Sequence, residues 1–153
     1  MRRSASLIST LAAIGAVAAA TPASASDLLY PGGTLLTEGA IGKPVWMIQA
    51  QCAGFFGATS NVLNERGDIS GAQQAKAQGA QFARDAIERL MKDRSLSRPA
   101  ATEALGQAVD SGRAEGFQKI KNGGGFESRS HWNTTRSVCL DVADVYNKSL
   151  RWK

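Results

Sequence analysis

The chain has 153 residues, with 18 Lys and Arg, 13 Asp and Glu and a single His, and a formal net charge of +5. This length suits one domain with one hydrophobic core, so a second domain is unnecessary. Basic residues in the middle of the chain alternate with acidic ones and form no stripe with interleaved aromatic side chains, which argues against nucleic-acid binding.

The N-terminus has the pattern of an export signal. Arg2 and Arg3 precede an apolar run over residues 7–20, and the small residues that follow, ending at Ala25, form a cleavage site of the A-x-A type. An uncleaved membrane anchor is the alternative, but the run is shorter than the roughly 20 residues needed to cross a bilayer. We expect a signal peptide over residues 1–25, general secretion, and a periplasmic or secreted bacterial protein with no transmembrane segment after cleavage.

Cleavage would leave a mature chain of 128 residues, which keeps sixteen of the Lys and Arg and all thirteen Asp and Glu and so carries a charge of +3. Its first part, residues 26–43, is too rich in Gly and Pro for a helix and lacks the alternation of a strand, yet it is too apolar for a free tail. This composition predicts an extended arm that lies on a helical domain of residues 44–153. A small hairpin around Pro31 and Gly32 is the alternative.

The first predicted helix runs from Pro44 to Glu65. Pro44 suits a first helical turn, where its missing amide hydrogen is not needed, and Gly67 supplies a stop. Apolar residues recur at spacings of three and four and therefore share one face of the helix. This face comprises Val45, Ile48, Cys52, Phe55, Phe56, Thr59, Val62 and Leu63.

The second predicted helix opens with Ser70 followed by Gln73, a capping-box pattern in which each side chain satisfies a free backbone donor of the first turn. Its apolar face extends to Met91. A stripe of small residues on this face would let a neighbouring helix approach closely, and we expect helix packing there rather than a ligand groove. The stripe comprises Ala75, Gly79 and Ala83.

The third predicted helix can be capped by Ser95 and Ser97, with Pro99 in its first turn, and it ends near Asn122. Three glycines weaken it, each costing about 1 kcal/mol relative to alanine in a helix interior. They are Gly106, Gly112 and Gly116. We therefore expect a break near residues 110–112.

The glycines of residues 123–125 predict a flexible loop. A phosphate-binding loop is a poor alternative, because no strand precedes these glycines and no Lys-Ser or Lys-Thr pair follows them. The fourth predicted helix then begins at His131 or Asn133 and ends at Leu150. Cys139 lies in its apolar face.

The two cysteines, Cys52 and Cys139, both lie on apolar helix faces of an exported chain. An intramolecular disulfide between the first and fourth helices is therefore the expected state, with two buried thiols or an intermolecular bond as alternatives. The cross-link requires the two Cα atoms to come within about 7 Å of each other. Together the elements predict an all-α, four-helix bundle-like single domain with an extended N-terminal arm.

Catalytic constellations are scarce in the sequence. His131 is the sole histidine, which excludes a multi-histidine metal site, and neither cysteine has a partner at Cys-x-x-Cys spacing for zinc, redox cycling or haem. Asp141 and Asp144 could share a helix face as paired carboxylates, but such pairs are common on solvated helices. We expect no catalysis, no cofactor and no metal.

A limited set of residues carries a resemblance to a known family. Cys52 in the first helix, the segment Cys139–Asp141 in the last and the pair Ser149–Leu150 give a pattern that resembles the small periplasmic immunity proteins of type VI secreted cell-wall amidases. The resemblance implies an all-helical inhibitor of a peptidoglycan-cutting toxin without catalysis of its own. The glycine-rich loop and the long arm depart from the family pattern, and no motif carries over the effector-contacting residues.

These features favour a non-catalytic module that binds a protein of the cell envelope, with the oligomeric state left open. Phe126, His131 and Trp132 form the candidate binding surface, although closure of the core at a helix start is the more common use of such aromatic residues. The alternative functions are ligand binding or hydrolysis of an envelope polymer, the latter through His131 with Asp141 or Asp144.

Overall fold

The computed structural model describes the backbone of residues 43–151 and the side chains of residues 43–144. Four helices make up almost all of this part: α1 (Val45–Glu65), α2 (Ile69–Arg94), α3 (Arg98–Asn122) and α4 (His131–Arg151). The described residues contain no β-strand, so the predicted all-helical class with four helices is confirmed. The predicted signal peptide and all but the last residue of the predicted arm lie outside the described residues.

Gly67 and Asp68 set the turn between α1 and α2. Gly67 has a φ of +80°, in the left-handed region that favours glycine, and the next amide donates to a carbonyl of the last turn of α1 at 3.0 Å. The predicted stop at Gly67 is confirmed. The predicted capping box of Ser70 and Gln73 is wrong, because Asp68 takes the cap position. Its carboxylate accepts the Gly71 amide at 2.8 Å.

The third helix is continuous, so the predicted break at residues 110–112 is wrong. Ser97 takes the predicted N-cap position, although its side chain makes no capping hydrogen bond, whereas Ser95 ends α2 in a left-handed conformation. Gly112 is buried against α1, where an added Cβ would overlap with the backbone of Gln51. The contact between the helices therefore offsets the low helix propensity of this glycine.

The first helix is the centre of the domain. It packs along both α2 and α3, whereas α2 and α3 touch over a short stretch, and α4 touches α1 and α3 over short stretches. Between Trp46 and Thr59, α1 is buried on nearly every side and not only on the predicted face. A helix that is buried on all sides carries apolar residues all round, so the periodicity of its sequence predicts only part of its buried surface.

Glycines let α1 and α3 approach each other closely. An added Cβ on Gly54 would overlap with the backbone of Val109, just as one on Gly112 would overlap with the backbone of Gln51. Gly116, one turn after Gly112, is buried in the same contact. The two helix backbones therefore touch directly, with no side chains between them.

Two clusters of buried side chains form the core. The first joins α1, α2 and α3 and comprises Trp46, Ala50, Ala86, Leu90, Ala101 and Leu105. The second joins α1, α2 and α4 and comprises Ile48, Cys52, Ala53, Phe55, Phe56, Ala75, Phe82, Cys139 and Val142. Burial of these side chains is the main favourable contribution to folding.

The predicted disulfide between the first and last helices is confirmed. Cys52 and Cys139 are bonded, and their Cα atoms are 5.7 Å apart. Each residue is only 3% exposed, so the bond lies within the second core cluster. The disulfide therefore joins α4 covalently to the central helix.

Candidate binding groove

The aromatic residues of the predicted binding surface lie where α4 begins beside the end of α1. The Trp132 indole N–H donates to the Thr59 hydroxyl at 2.9 Å. The Trp132 ring stacks on Phe55, with 6.2 Å between the ring centroids, and meets Phe126 edge-on at 4.9 Å. His131 is exposed beside them. The structure thus brings Phe126 and Trp132 together as a closure of the core and leaves His131 at the surface.

Two arginines cover the outer side of this aromatic closure. The Arg66 guanidinium lies 5.0 Å from the centre of the Phe126 ring, and the Arg136 guanidinium lies 6.0 Å from that of Trp132. Contacts of this kind are attractive because the ring face is electron-rich. Both rings therefore already contact other side chains of the same protein on several sides.

The residues of the predicted hydrolase are not assembled into one site. His131 and Asp141 lie ten residues apart on α4, a separation of about 15 Å along the helix axis. A proton transfer between them would need hydrogen-bond distance, about 3 Å. Asp144 lies a further turn away, on the exposed side of α4. Among the described residues, no group of three or more His, Cys, Asp or Glu side chains could hold a metal ion.

Asp85 is a buried carboxyl on α2, with 8% of its surface exposed. Burial raises the pKa of Asp85, and the nearby charge of Glu88 acts in the same direction. A hydrogen bond from the Gln81 amide at 2.7 Å and the charge of Arg84 oppose this shift in pKa. Because the folded protein holds the Asp85 proton more tightly than the unfolded chain does, this residue destabilises the fold at neutral pH.

The substitution Asp85→Asn is expected to raise the melting temperature at neutral pH, because it removes the cost of burying a charge and keeps an oxygen that can accept the Gln81 hydrogen bond. The gain should shrink as the pH falls toward about 3.9, the ordinary pKa of an aspartate, and be lost below it, where the carboxyl is protonated in the folded and the unfolded chain alike. Thermal denaturation over a pH series measures it. Asp110→Asn, at an exposed position of α3, is the control, and an equal gain there would contradict this account of Asp85.

Gln49 is a second buried polar residue. Its side chain is fully buried in α1, and neither amide atom has a hydrogen-bond partner within the described part of the chain. We expect Gln49→Met, of similar size and shape, to stabilise the protein by about 1–3 kcal/mol, the usual cost of an unsatisfied buried polar group. Urea denaturation measures the change, with Gln107→Met on the exposed side of α3 as the control. A destabilised Gln49→Met variant would show that the amide is satisfied in solution.

A groove of about 620 Å³ is lined by residues of α1 and α2 and by one residue of α3. The Ser60 hydroxyl donates to the Ala72 carbonyl at 2.8 Å and joins the two walls. Ile69, which is 52% exposed, lies in the wall at the start of α2. The lining residues are Ala53, Gly57, Ser60, Asn61, Asn64, Ile69, Ala72, Gln73, Lys76, Gly79, Ala80, Ala83 and Val109.

Small residues form the floor of the groove. An added Cβ on Gly57 would meet no atom within 4 Å, so open space lies above this residue. At Gly79 the two helices are in close contact, because an added Cβ there would lie 3.1 Å from the Ala53 carbonyl oxygen. Gly79 and Ala83 thus belong to a stripe that was expected only to pack against a helix, and here they also line the groove.

The rim of the groove is polar. Asn61, Asn64 and Gln73 are exposed, and their side-chain amides make no hydrogen bond to any other described residue. Lys76 supplies the sole charge among the lining residues. The arrangement can therefore bind an apolar group on its floor, offer hydrogen bonds at its edge and attract one negative charge.

Reasoning from the sequence did not find this groove. Its two walls are separated in the chain by the turn at Gly67, and Asn61, Asn64 and Gln73 follow no recognisable motif. The one available signal was the run of small residues in the second helix, which is equally typical of close helix packing.

None of the described helices is long and apolar enough to cross a membrane. Comparison of the chain with protein-family models, with curated proteins and with solved structures finds no match.

Proposed function

We propose that this chain is an exported, non-catalytic binding protein whose partner is a protein of the bacterial cell envelope. The groove between α1 and α2 is the observation that carries the proposal, because an apolar concave floor with a few polar groups at its edge is typical of a binding site. The confirmed disulfide supports export, since such bonds persist in oxidising compartments.

The walls of the groove support preformed binding. They are two long helices rather than loops, and the hydrogen bond from Ser60 to Ala72 and the close contact at Gly79 hold them together. A site that is already ordered costs little conformational entropy when its partner binds. Binding through this groove would therefore require no rearrangement of the helices.

The proposal assigns no chemical step to the groove. Lys76 is its sole titratable lining residue, whereas acid/base catalysis usually needs two groups with separated pKa values. A variant with His131, Asp141 and Asp144 all replaced by Ala tests the competing hydrolase function. Hydrolysis of purified cell wall by the wild type that is lost in this variant would contradict the proposal.

In its narrower form, the proposal takes the partner to be a peptidoglycan amidase, as the resemblance to immunity proteins implies. The expected result is inhibition of such an amidase by the oxidised mature protein at equimolar concentration. Full amidase activity in the presence of excess protein would contradict an amidase partner but not the binding function.

Site-specific photo-crosslinking in the producing cells tests the binding function itself. A photoreactive amino acid is placed at Asn61, on the rim of the groove, and separately at Gln107, on the exposed side of α3. We expect a discrete crosslinked protein for the Asn61 variant and none for the Gln107 variant. Equal crosslinking at both positions, or none at Asn61, would contradict binding of an envelope protein in the groove.

A further inference from the structure

We propose that the groove between α1 and α2 binds a short, extended peptide segment that carries small or apolar side chains and one acidic group. This inference rests on the proposed function, and it specifies the chemistry of the partner. It follows from three properties of the groove: its length, the unpaired amides of its rim and its single positive charge.

The length of the groove suits an extended segment of about six residues. The lining runs from Ala53 to Asn64 along α1 and from Ile69 to Ala83 along α2. At about 1.5 Å per helical residue these walls are roughly 16 and 21 Å long. An extended chain advances about 3.3 Å per residue, so about five or six residues fill this length.

The rim amides favour an extended segment over a helix. A helix satisfies its own backbone hydrogen bonds, whereas an extended segment needs partners for its N–H and C=O groups. The side chains of Asn61, Asn64 and Gln73 each offer both a donor and an acceptor, and none is hydrogen-bonded to another described residue. They lie on both walls, so they can bind both edges of one extended backbone.

The floor sets the size of the side chains that enter. Open space above Gly57 can take a side chain of the bound segment, whereas at Gly79 the two helices are in close contact. Ala53, Ala80 and Ala83 add a shallow apolar surface. Small and medium apolar side chains match this floor, and burying each of them would contribute favourably to binding.

Lys76 sets the charge of the bound segment. It lies near the middle of the α2 wall, no acidic residue lines the groove, and the described residues give it no ion pair. An acidic side chain near the middle of the segment would complement this ammonium group. An exposed pair of this kind changes affinity by only about two- to fivefold, so its main effect is on selectivity.

Selection from a phage library of random hexapeptides on the full oxidised mature protein tests the inference. We expect enrichment of peptides with small apolar residues and one Asp or Glu. Lys76→Glu should instead enrich peptides with Lys or Arg. The selected peptide, added to isotopically labelled protein, should shift the amide resonances of Gly57, Asn61 and Lys76.

Two glycine variants provide a matched pair. Gly57→Leu fills the open space of the groove, and Gly106→Leu adds the same side chain on α3, where an added Cβ also meets no atom within 4 Å. Both variants should fold. We expect Gly57→Leu to weaken binding of the selected peptide at least tenfold and Gly106→Leu to leave it unchanged.

Other results would overturn the inference. These are selection of no peptide, selection that ignores the charge at position 76, resonance shifts that lie outside the groove, and equal binding by the two leucine variants. Concentration-dependent shifts of the groove resonances without peptide would identify a second copy of the chain as the occupant. If Asn61 crosslinks to a protein but any of these results is obtained, the proposed function stands and the peptide inference is lost. If the selected peptide binds but no protein crosslinks at Asn61, the envelope partner is lost and the peptide inference stands.

Discussion

Replacing Gly54 or Gly112 by alanine is expected to destabilise the protein by about 2–3 kcal/mol, even though alanine is the better helix former. The added methyl group of Gly54→Ala would overlap with the backbone of Val109, and that of Gly112→Ala with the backbone of Gln51. Backbone atoms cannot rotate aside as a side chain can. The two helices must therefore separate, which weakens packing along their whole contact.

Urea denaturation of the single variants measures this loss. Gly57→Ala and Gly106→Ala are matched controls, because an added Cβ at these positions meets no atom within 4 Å. These controls should gain about 0.5–1 kcal/mol, the usual advantage of alanine over glycine in a helix. Wild-type stability in the Gly54→Ala and Gly112→Ala variants would show that α1 and α3 do not touch as closely as described. The effects of the double variant should not add, since both glycines serve one contact.

Removal of the disulfide by replacing Cys52 and Cys139 with alanine is expected to cost about 4 kcal/mol. The bond closes a loop with a sequence separation of 87, so it removes much conformational entropy from the unfolded chain. Such a loss is a large share of the roughly 5–15 kcal/mol by which domains of this size are stable.

The loss should be largest at α4, because the bond joins this helix to α1, whereas α1, α2 and α3 are held to one another by packing along their lengths. Hydrogen exchange is expected to accelerate first at α4 amides, before those of α1, α2 and α3. Denaturation of the wild type under reducing conditions is the control and should approach the stability of the double variant. Equal urea midpoints for the oxidised wild type and the variant would show that helix packing alone holds α4 in place.

Local signals in the sequence were sufficient for several elements. Pro44 marked the start of α1, and Gly67 marked its end, because a missing amide hydrogen and a left-handed φ are properties of single residues. The periodic apolar faces predicted the four helices. Two cysteines on such faces, behind an export pattern, were enough to predict the bond between Cys52 and Cys139.

Other local signals gave the wrong result where residues distant in sequence decided the outcome. Gly112 was expected to break α3, but its contact with Gln51 makes the absence of a side chain an advantage. Asp68, rather than Ser70, caps α2 because the turn at Gly67 places its carboxylate over the first free amides. Phe126 and Trp132 pack against each other, and Trp132 also packs against Phe55 of α1, a partner that no spacing in the sequence indicated.

The amino-acid sequence by itself determined the helices, most of their ends and the disulfide. Helices and their ends depend on residues within a turn or two, and two cysteines allow a single intramolecular pairing. The tertiary structure alone decided that α1 is central, that glycines bring its backbone against α3, that Asp85 is buried and that a groove opens beside Gly57. Periodicity shows which face of a helix is buried but not which other helix packs against that face. A groove is defined by the distances between such helices.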